Sequence, residues 1–298
     1  MGGNGGGSGE GDGPLRVGTP TEAFDALRDE RRVRVLEVLA ARRRKHPEDP
    51  TLGFAELRKR AGVPDSGNFN YHLGKLRDRF VVEAEGGYRL TPAGVKVVSA
   101  VVSGAYAEHD PREERLDEPC PACGATLRAT VERGLLTLAC AGDHRFRNVV
   151  PPSLLDAPAD ELVARLVTAT RNDFELVREG ACPFCEGPLS VSWAGPGEDA
   201  HLFTGRCPRC SAGVELPAGA VATSHPAAVS FCHERGVDLR EDPYLTLRYW
   251  TGDPVSVASR DPVRLDVSVS LPEAAPGDEL VLGVDDAPSV VAVQPGED

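Results

Sequence analysis

Apolar residues recur at helical spacing from the first segment able to build a core. Phe24, Leu27, Val33, Leu36 and Leu39 fall on one side of a helix that Thr21 can cap and that runs to the basic cluster at residues 42–45. Positive charge suits a helix C-terminus, and Pro47 and Pro50 call for a loop after it. A second helix is expected over 54–61, stopped by Gly62 and Pro64, and a third over 66–80. In the third, Phe69, Leu73 and Leu76 repeat at i, i+4 and i+7 and point inward, which leaves Asn68, Tyr71, His72 and Lys75 for the opposite side. Alternation over 81–85 and 88–91 about Gly86 and Gly87 predicts a hairpin, and the valine- and alanine-rich stretch 92–108 predicts a closing helix.

Further along, helices are expected over 158–179 and 226–235. From Tyr244 the pattern turns to alternation in LTLRYW, VSVAS, VRLDVSVSL, ELVLGVDD and SVVAVQ. These runs, punctuated by Gly, Pro and Asp, predict four or five short strands in an antiparallel sheet.

The cysteines add chemistry that periodicity does not. All eight follow residue 119, and six form three C-P-x-C dyads: Cys120 with Cys123, Cys182 with Cys185, and Cys207 with Cys210. Two thiolates three residues apart can bite one tetrahedral ion, so the second and third dyads together predict a complete four-cysteine Zn2+ ribbon. The first dyad finds its partners in Cys140 and, four positions on, His144; the alternative is a degenerate, metal-free knuckle. Because CPACGATL and CPFCEGPL each lead through a strand-like stretch to a second ligand pair and a helix, a duplicated ribbon-plus-helix unit is the simplest reading. Four protein ligands leave no open position on the ion, which makes both sites structural. Cys232 lies outside the scheme and is expected to be a buried thiol.

Composition bounds the remaining possibilities. The 298 residues, 41% of them hydrophobic, suffice for two or three domains. Residues 1–19, with GGNGGGSGEGDG, and the tail 294–298 are too poor in apolar side chains to order themselves. No apolar run approaches the roughly 20 residues of a membrane span and no signal peptide is readable, so a cytoplasmic protein without membrane contact is expected. The net charge of −13 is unevenly spread: residues 20–110 carry 16 Lys and Arg against 14 Asp and Glu, whereas the rest of the body is strongly acidic. Any nucleic-acid contact is thereby assigned to the first domain. No phosphate-binding glycine loop, nucleophile elbow or metal-binding histidine pair is found, and no enzyme is expected.

The order helix, helix, helix, hairpin, helix, with FNYHLGKLRDRF followed by VVEAEGGYRLTPAG, resembles the ArsR-like winged helix-turn-helix regulators, particularly those of haloarchaea. The scarcity of lysine, with four against 29 arginines, is similar to proteins of salt-loving archaea. The resemblance implies that the third helix reads double-stranded DNA and that the first and last helices pair two subunits into a homodimer. It covers about 90 residues and departs from the family's metal sensors, since residues 20–110 contain no cysteine. The DNA-contacting set expected on these grounds is Arg58, Lys59, Ser66, Asn68, Asn70, Tyr71, His72, Lys75 and Tyr88. The fold class expected is α+β: a winged helix domain over 20–110, a three-cysteine, one-histidine unit with its helix over 111–180, and a four-cysteine ribbon, helix and small antiparallel β-sheet over 181–293. Function follows as a sequence-specific transcription regulator; the alternative is an adaptor that turns its winged helix and ribbons toward the transcription machinery.

Overall fold

Thr19 opens the first helix: its hydroxyl accepts from the Glu22 N–H while the Glu22 carboxylate accepts from the Thr19 N–H, a capping box. This computed structural model describes residues 19–104, 110–150, 153–154, 157–195, 201–251, 255–272 and 274–296. The expected N-terminal lead-in up to residue 18 and the expected end of the closing helix at 105–108 lie outside the described residues. The chain divides into two units, Met1–Val102 and Ser103–Asp298.

In the first unit the long helix expected from Thr21 is two helices, α1 (Pro20–Leu27) and α2 (Glu30–Lys45). Asp29 separates them, because its carboxylate accepts from the Arg31 N–H and starts a new helix. The break also changes the buried face: Phe24, expected in the core, is 71% exposed, whereas Ala26, Val35, Leu36 and Leu39 are buried. After α3 (Phe54–Arg60), Asp65 caps α4 (Ser66–Leu76) through the Asn68 N–H at 2.6 Å. The helix α4 ends four residues earlier than its pattern predicts, since Arg77 turns extended and Asp78 takes a left-handed φ of 65°. Leu57, Phe69, Leu73 and Leu76 pack with α2 in the core, and the Phe54 and Phe69 rings meet edge to face at 5.0 Å.

The hairpin joins β1 (Val81–Ala84) to β2 (Gly87–Leu90), with Ala84 opposite Gly87, so the turn is Glu85-Gly86 and not the two glycines. Gly87 is needed for a different reason. Its φ is 140°, and a Cβ there would run into the carbonyl oxygen of Leu52, whose backbone pairs with Tyr88 on both sides. The last described helix of this unit is α5 (Pro92–Val102).

The second unit begins with an antiparallel sheet in the order β3 (Arg112–Pro119), β4 (Thr126–Glu132), β5 (Leu135–Cys140), β6 (Arg145–Val149). Strict alternation in β4 buries Leu127, Ala129 and Val131. The long helix α6 (Ala159–Arg178) lies close to its expected bounds. A three-stranded sheet follows, β7 (Ser192–Trp193), β8 (Leu202–Arg206) and β9 (Gly213–Pro217), then helices α7 (Ala218–Ser224), α8 (Pro226–Glu234) and α9 (Pro243–Thr251). A four-stranded antiparallel sheet closes the unit in chain order, β10 (Val255–Arg260), β11 (Val263–Val269), β12 (Leu280–Asp285) and β13 (Val290–Pro295).

Two expectations are corrected here. LTLRYW forms α9 and not a strand, since Asp242 accepts from the Leu245 N–H and Pro243 sits in the first turn, a helix start that outweighs the short alternation. Gln294 and Pro295, expected in a disordered tail, pair with Val281 and Leu280 in β13. Within the second unit one continuous core joins Leu136 and Leu138 to Leu166, Phe203, Leu216, Val221, Trp250 and Leu265. The fold is thus α+β, with helices and small antiparallel sheets in both units. Among the described residues no helix is long and apolar enough to cross a membrane.

Candidate metal centres and nucleic-acid face

Each C-P-x-C dyad folds into the same turn. The Cys120 N–H donates to the Ala125 carbonyl at 2.7 Å, Cys182 to Gly187 at 2.8 Å and Cys207 to Ala212 at 2.8 Å. The residue before each acceptor takes a left-handed φ: 73° at Gly124, 56° at Glu186 and 62° at Ser211. This geometry brings the two sulfurs of each dyad to one side of a tight loop. The fourth corner of the first cluster is a comparable turn, in which Asp143 has φ 63° and the Cys140 N–H donates to the His144 carbonyl.

The loops then converge in pairs. Ligand atoms of Cys120, Cys123, Cys140 and His144 all lie within 4.8 Å of one another, and so do those of Cys182, Cys185, Cys207 and Cys210. Cys182 and Cys210 sulfurs are 3.6 Å apart, Cys185 and Cys207 3.7 Å, Cys123 and Cys140 3.6 Å, and the Cys140 sulfur is 3.6 Å from His144 Nδ1. A tetrahedral ion with sulfur ligands at ~2.3 Å holds those sulfurs ~3.8 Å apart, so both clusters have the dimensions of a metal cage. All eight cysteines are free thiols.

Electrostatics agree with that fit. Backbone N–H groups of Cys210 and Arg209 aimed at Cys207 hold its thiol down to about 6, whereas burial pushes Cys120 up to about 11. Four thiols this close cannot all ionise alone; a divalent cation at their centre removes the conflict. Either cluster can therefore hold a metal ion with four protein ligands. Cys232 sits apart, fully buried on α8, where burial raises its thiol.

In the first unit, α3, the turn at 61–65 and α4 carry most of the expected nucleic-acid contacts. Ser66, Asn68, Asn70, Tyr71 and Lys75 are exposed along α4, and Lys59 is exposed on α3. Tyr71 is 56% exposed, with Lys75 Nζ 5.6 Å and the Arg32 guanidinium 5.8 Å from its ring centre. Three expected contacts stand differently. Arg58 is half-buried and donates to the Pro64 carbonyl, bracing the turn. Tyr88 is half-buried against the core of this unit.

His72, expected on the outward side, is buried with 2% exposed. Its Nδ1 accepts from Arg32 Nε at 3.2 Å, and Arg32 Nη1 also donates to the Asp25 carbonyl at 2.8 Å, so the pair ties α2 and the end of α1 to α4. Burial, more than any neighbouring charge, pushes the His72 pKa down, with Asp29 opposing. Sequence reasoning missed Arg32 because an arginine among ERRVR reads as a solvated charge. Its position one residue before the stripe Val33, Leu36 was the only signal.

Together these features define an α+β protein in which a unit of helices and one hairpin precedes a unit with two candidate metal centres. The chain belongs to the family described as a domain of unknown function (DUF7351), which matches residues 117–290; residues 20–101 match a second domain of unknown function (DUF7347). No curated protein and no solved structure matches the chain.

Proposed function

We propose that the protein is a sequence-specific, DNA-binding transcription regulator of the ArsR-like winged-helix type. The observation that carries this reading is the exposed polar row Ser66, Asn68, Asn70, Tyr71 and Lys75 on a capped helix whose other side is locked in the core. Side chains of these types hydrogen-bond base edges and phosphates, and the N-terminal residues of such a helix enter a major groove. In this reading α3 and α4 form the helix-turn-helix and β1–β2 the wing. The exposed Lys59 and Arg60, and Arg43, Arg44 and Lys45 at the end of α2, supply phosphate contacts in a chain that is otherwise acidic.

Zn2+ is the ion we assign to both clusters. Three or four thiolates in a compact tetrahedral set favour it, and with every corner occupied by protein its role is to fold the second unit. In the same reading α1 and α5 are the surfaces of a homodimer, supported by the exposure of Phe24 at 71% and Val102 at 67%.

The test is selection from a random pool of double-stranded DNA followed by titration of Asn68→Ala/Tyr71→Ala. Wild type enriches a discrete sequence, and the folded double variant loses about 1–3 kcal/mol per missing base contact. Undiminished binding by the double variant removes α4 from the reading role.

A further inference from the structure

Between α6, α7 and α9 of the second unit lies a cavity of about 80 Å³ that neither the metal clusters nor the DNA-contacting residues use. Arg171 and Arg178, seven residues apart on one side of α6, line it together with Arg240 from the loop before α9, and Glu175 is the one carboxylate in its wall. Three guanidiniums around so small a space are unexpected in a chain of net charge −13.

Their hydrogen bonds leave donors over. Arg178 is held by Glu175 through Nη1 at 2.8 Å, and its Nε is buried with no acceptor among the described residues. Trp250, 3% exposed, also lines the cavity, and its Nε1 is likewise buried without a partner among the described residues. Arg171 is anchored through Nη2 to the Leu239 carbonyl at 3.1 Å and to Thr246 Oγ1 at 3.4 Å. Burial and then Arg240 weaken its hold on its proton, while Asp238 and Glu175 oppose them. The Arg240 side chain is exposed, and among the described residues only its backbone N–H is engaged, by Asp238. Two orphaned donors and crowded guanidiniums share one remedy, a ligand that only accepts and carries negative charge.

We propose that this cavity is an oxyanion-binding site for phosphate or the phosphate group of a small metabolite. Arg178 and Trp250 donate from the inside, Arg171 flanks the anion and Arg240 closes over it from solvent. The edge-to-face pair Phe174 and Trp250, 4.9 Å apart, forms an apolar wall that can carry the rest of an esterified ligand. The proposal rests on the second unit alone and is independent of the DNA reading.

Isothermal titration of the full chain with phosphate, against chloride at matched ionic strength, tests it. Saturable one-site binding is expected for phosphate and none for chloride. Arg240→Glu, at an exposed position, should keep the wild-type unfolding midpoint and bind at least about tenfold more weakly; Trp250→Phe, which keeps the aromatic wall but removes the donor, should bind a few-fold more weakly at a temperature where it is fully folded. Phenyl phosphate binding at least as tightly as phosphate would mark an esterified ligand, and phosphate binding alone the free ion; both support the site. Absence of saturable binding up to about 20 mM phosphate, or wild-type affinity in Arg240→Glu, overturns it.

Discussion

Replacing Cys207 with serine removes one corner of the four-cysteine cluster and, if both clusters hold Zn2+ as proposed, should cost the second unit one of two metal ions. The side chain is 1% exposed, 3.7 Å from the Cys185 sulfur, and sits at the base of the loop between β8 and β9. Metal binding in closed cysteine sites contributes on the order of 10 kcal/mol of folding free energy. That is comparable with the whole stability of an ordinary domain, about 5–15 kcal/mol. The loss should spread beyond the loop, because Phe203 and Leu216 on β8 and β9, both fully buried, belong to the core that also contains Leu166 of α6 and Val221 of α7. The first unit has no cysteine and a core of its own. Zinc released to a chromogenic chelator should therefore fall from two ions per chain to one in Cys207→Ser. Urea unfolding followed by circular dichroism should split into a weakened transition for the second unit and an unchanged one for the first. A variant that keeps two ions, or unfolds as wild type does, would refute the reasoning.

Other expectations follow from single positions. Gly87→Ala should destabilise the first unit by more than about 1 kcal/mol, read as a lower denaturant midpoint, because the methyl meets the Leu52 carbonyl at a φ of 140°. His72 has a folded-state pKa below its unfolded value, so the unfolded chain takes up the proton first as pH falls. Stability of the first unit should drop below about pH 6.5 and level off once pH passes the folded pKa, and His72→Gln should flatten that slope. Sedimentation at micromolar concentration should give twice the chain mass, and Phe24→Glu with Val102→Glu should return a monomer; a wild-type monomer, also on DNA, contradicts the dimer.

How far the sequence could be read depended on how local the determining interaction is. The stripe Phe69, Leu73, Leu76 and the C-P-x-C spacings are complete within one helix or one turn, and the structure places them as their periods imply. The Asp29 cap looked like a surface residue of a longer helix, since an acidic side chain in a helical pattern reads the same whether it lies on the surface or starts a new helix. LTLRYW satisfies period two over too few residues to exclude a helix, and the deciding signal, Asp242-Pro243, lies upstream of the run. The burial of His72 depends on Arg32, forty residues earlier, and the merging of two metal modules into one core depends on contacts across the whole second unit. His72 does flank the stripe, three residues after Phe69 and four before Leu76, but nothing local shows which partner covers it.

Occupancy of this protein across the genome of its own cells tests the central claim most directly. A sequence-specific regulator reading DNA through α4 should give discrete peaks at a few promoters that share the sequence selected in vitro, and Asn68→Ala/Tyr71→Ala should erase them. Uniform enrichment at nearly all active promoters, or peaks unchanged in the double variant, would contradict the account.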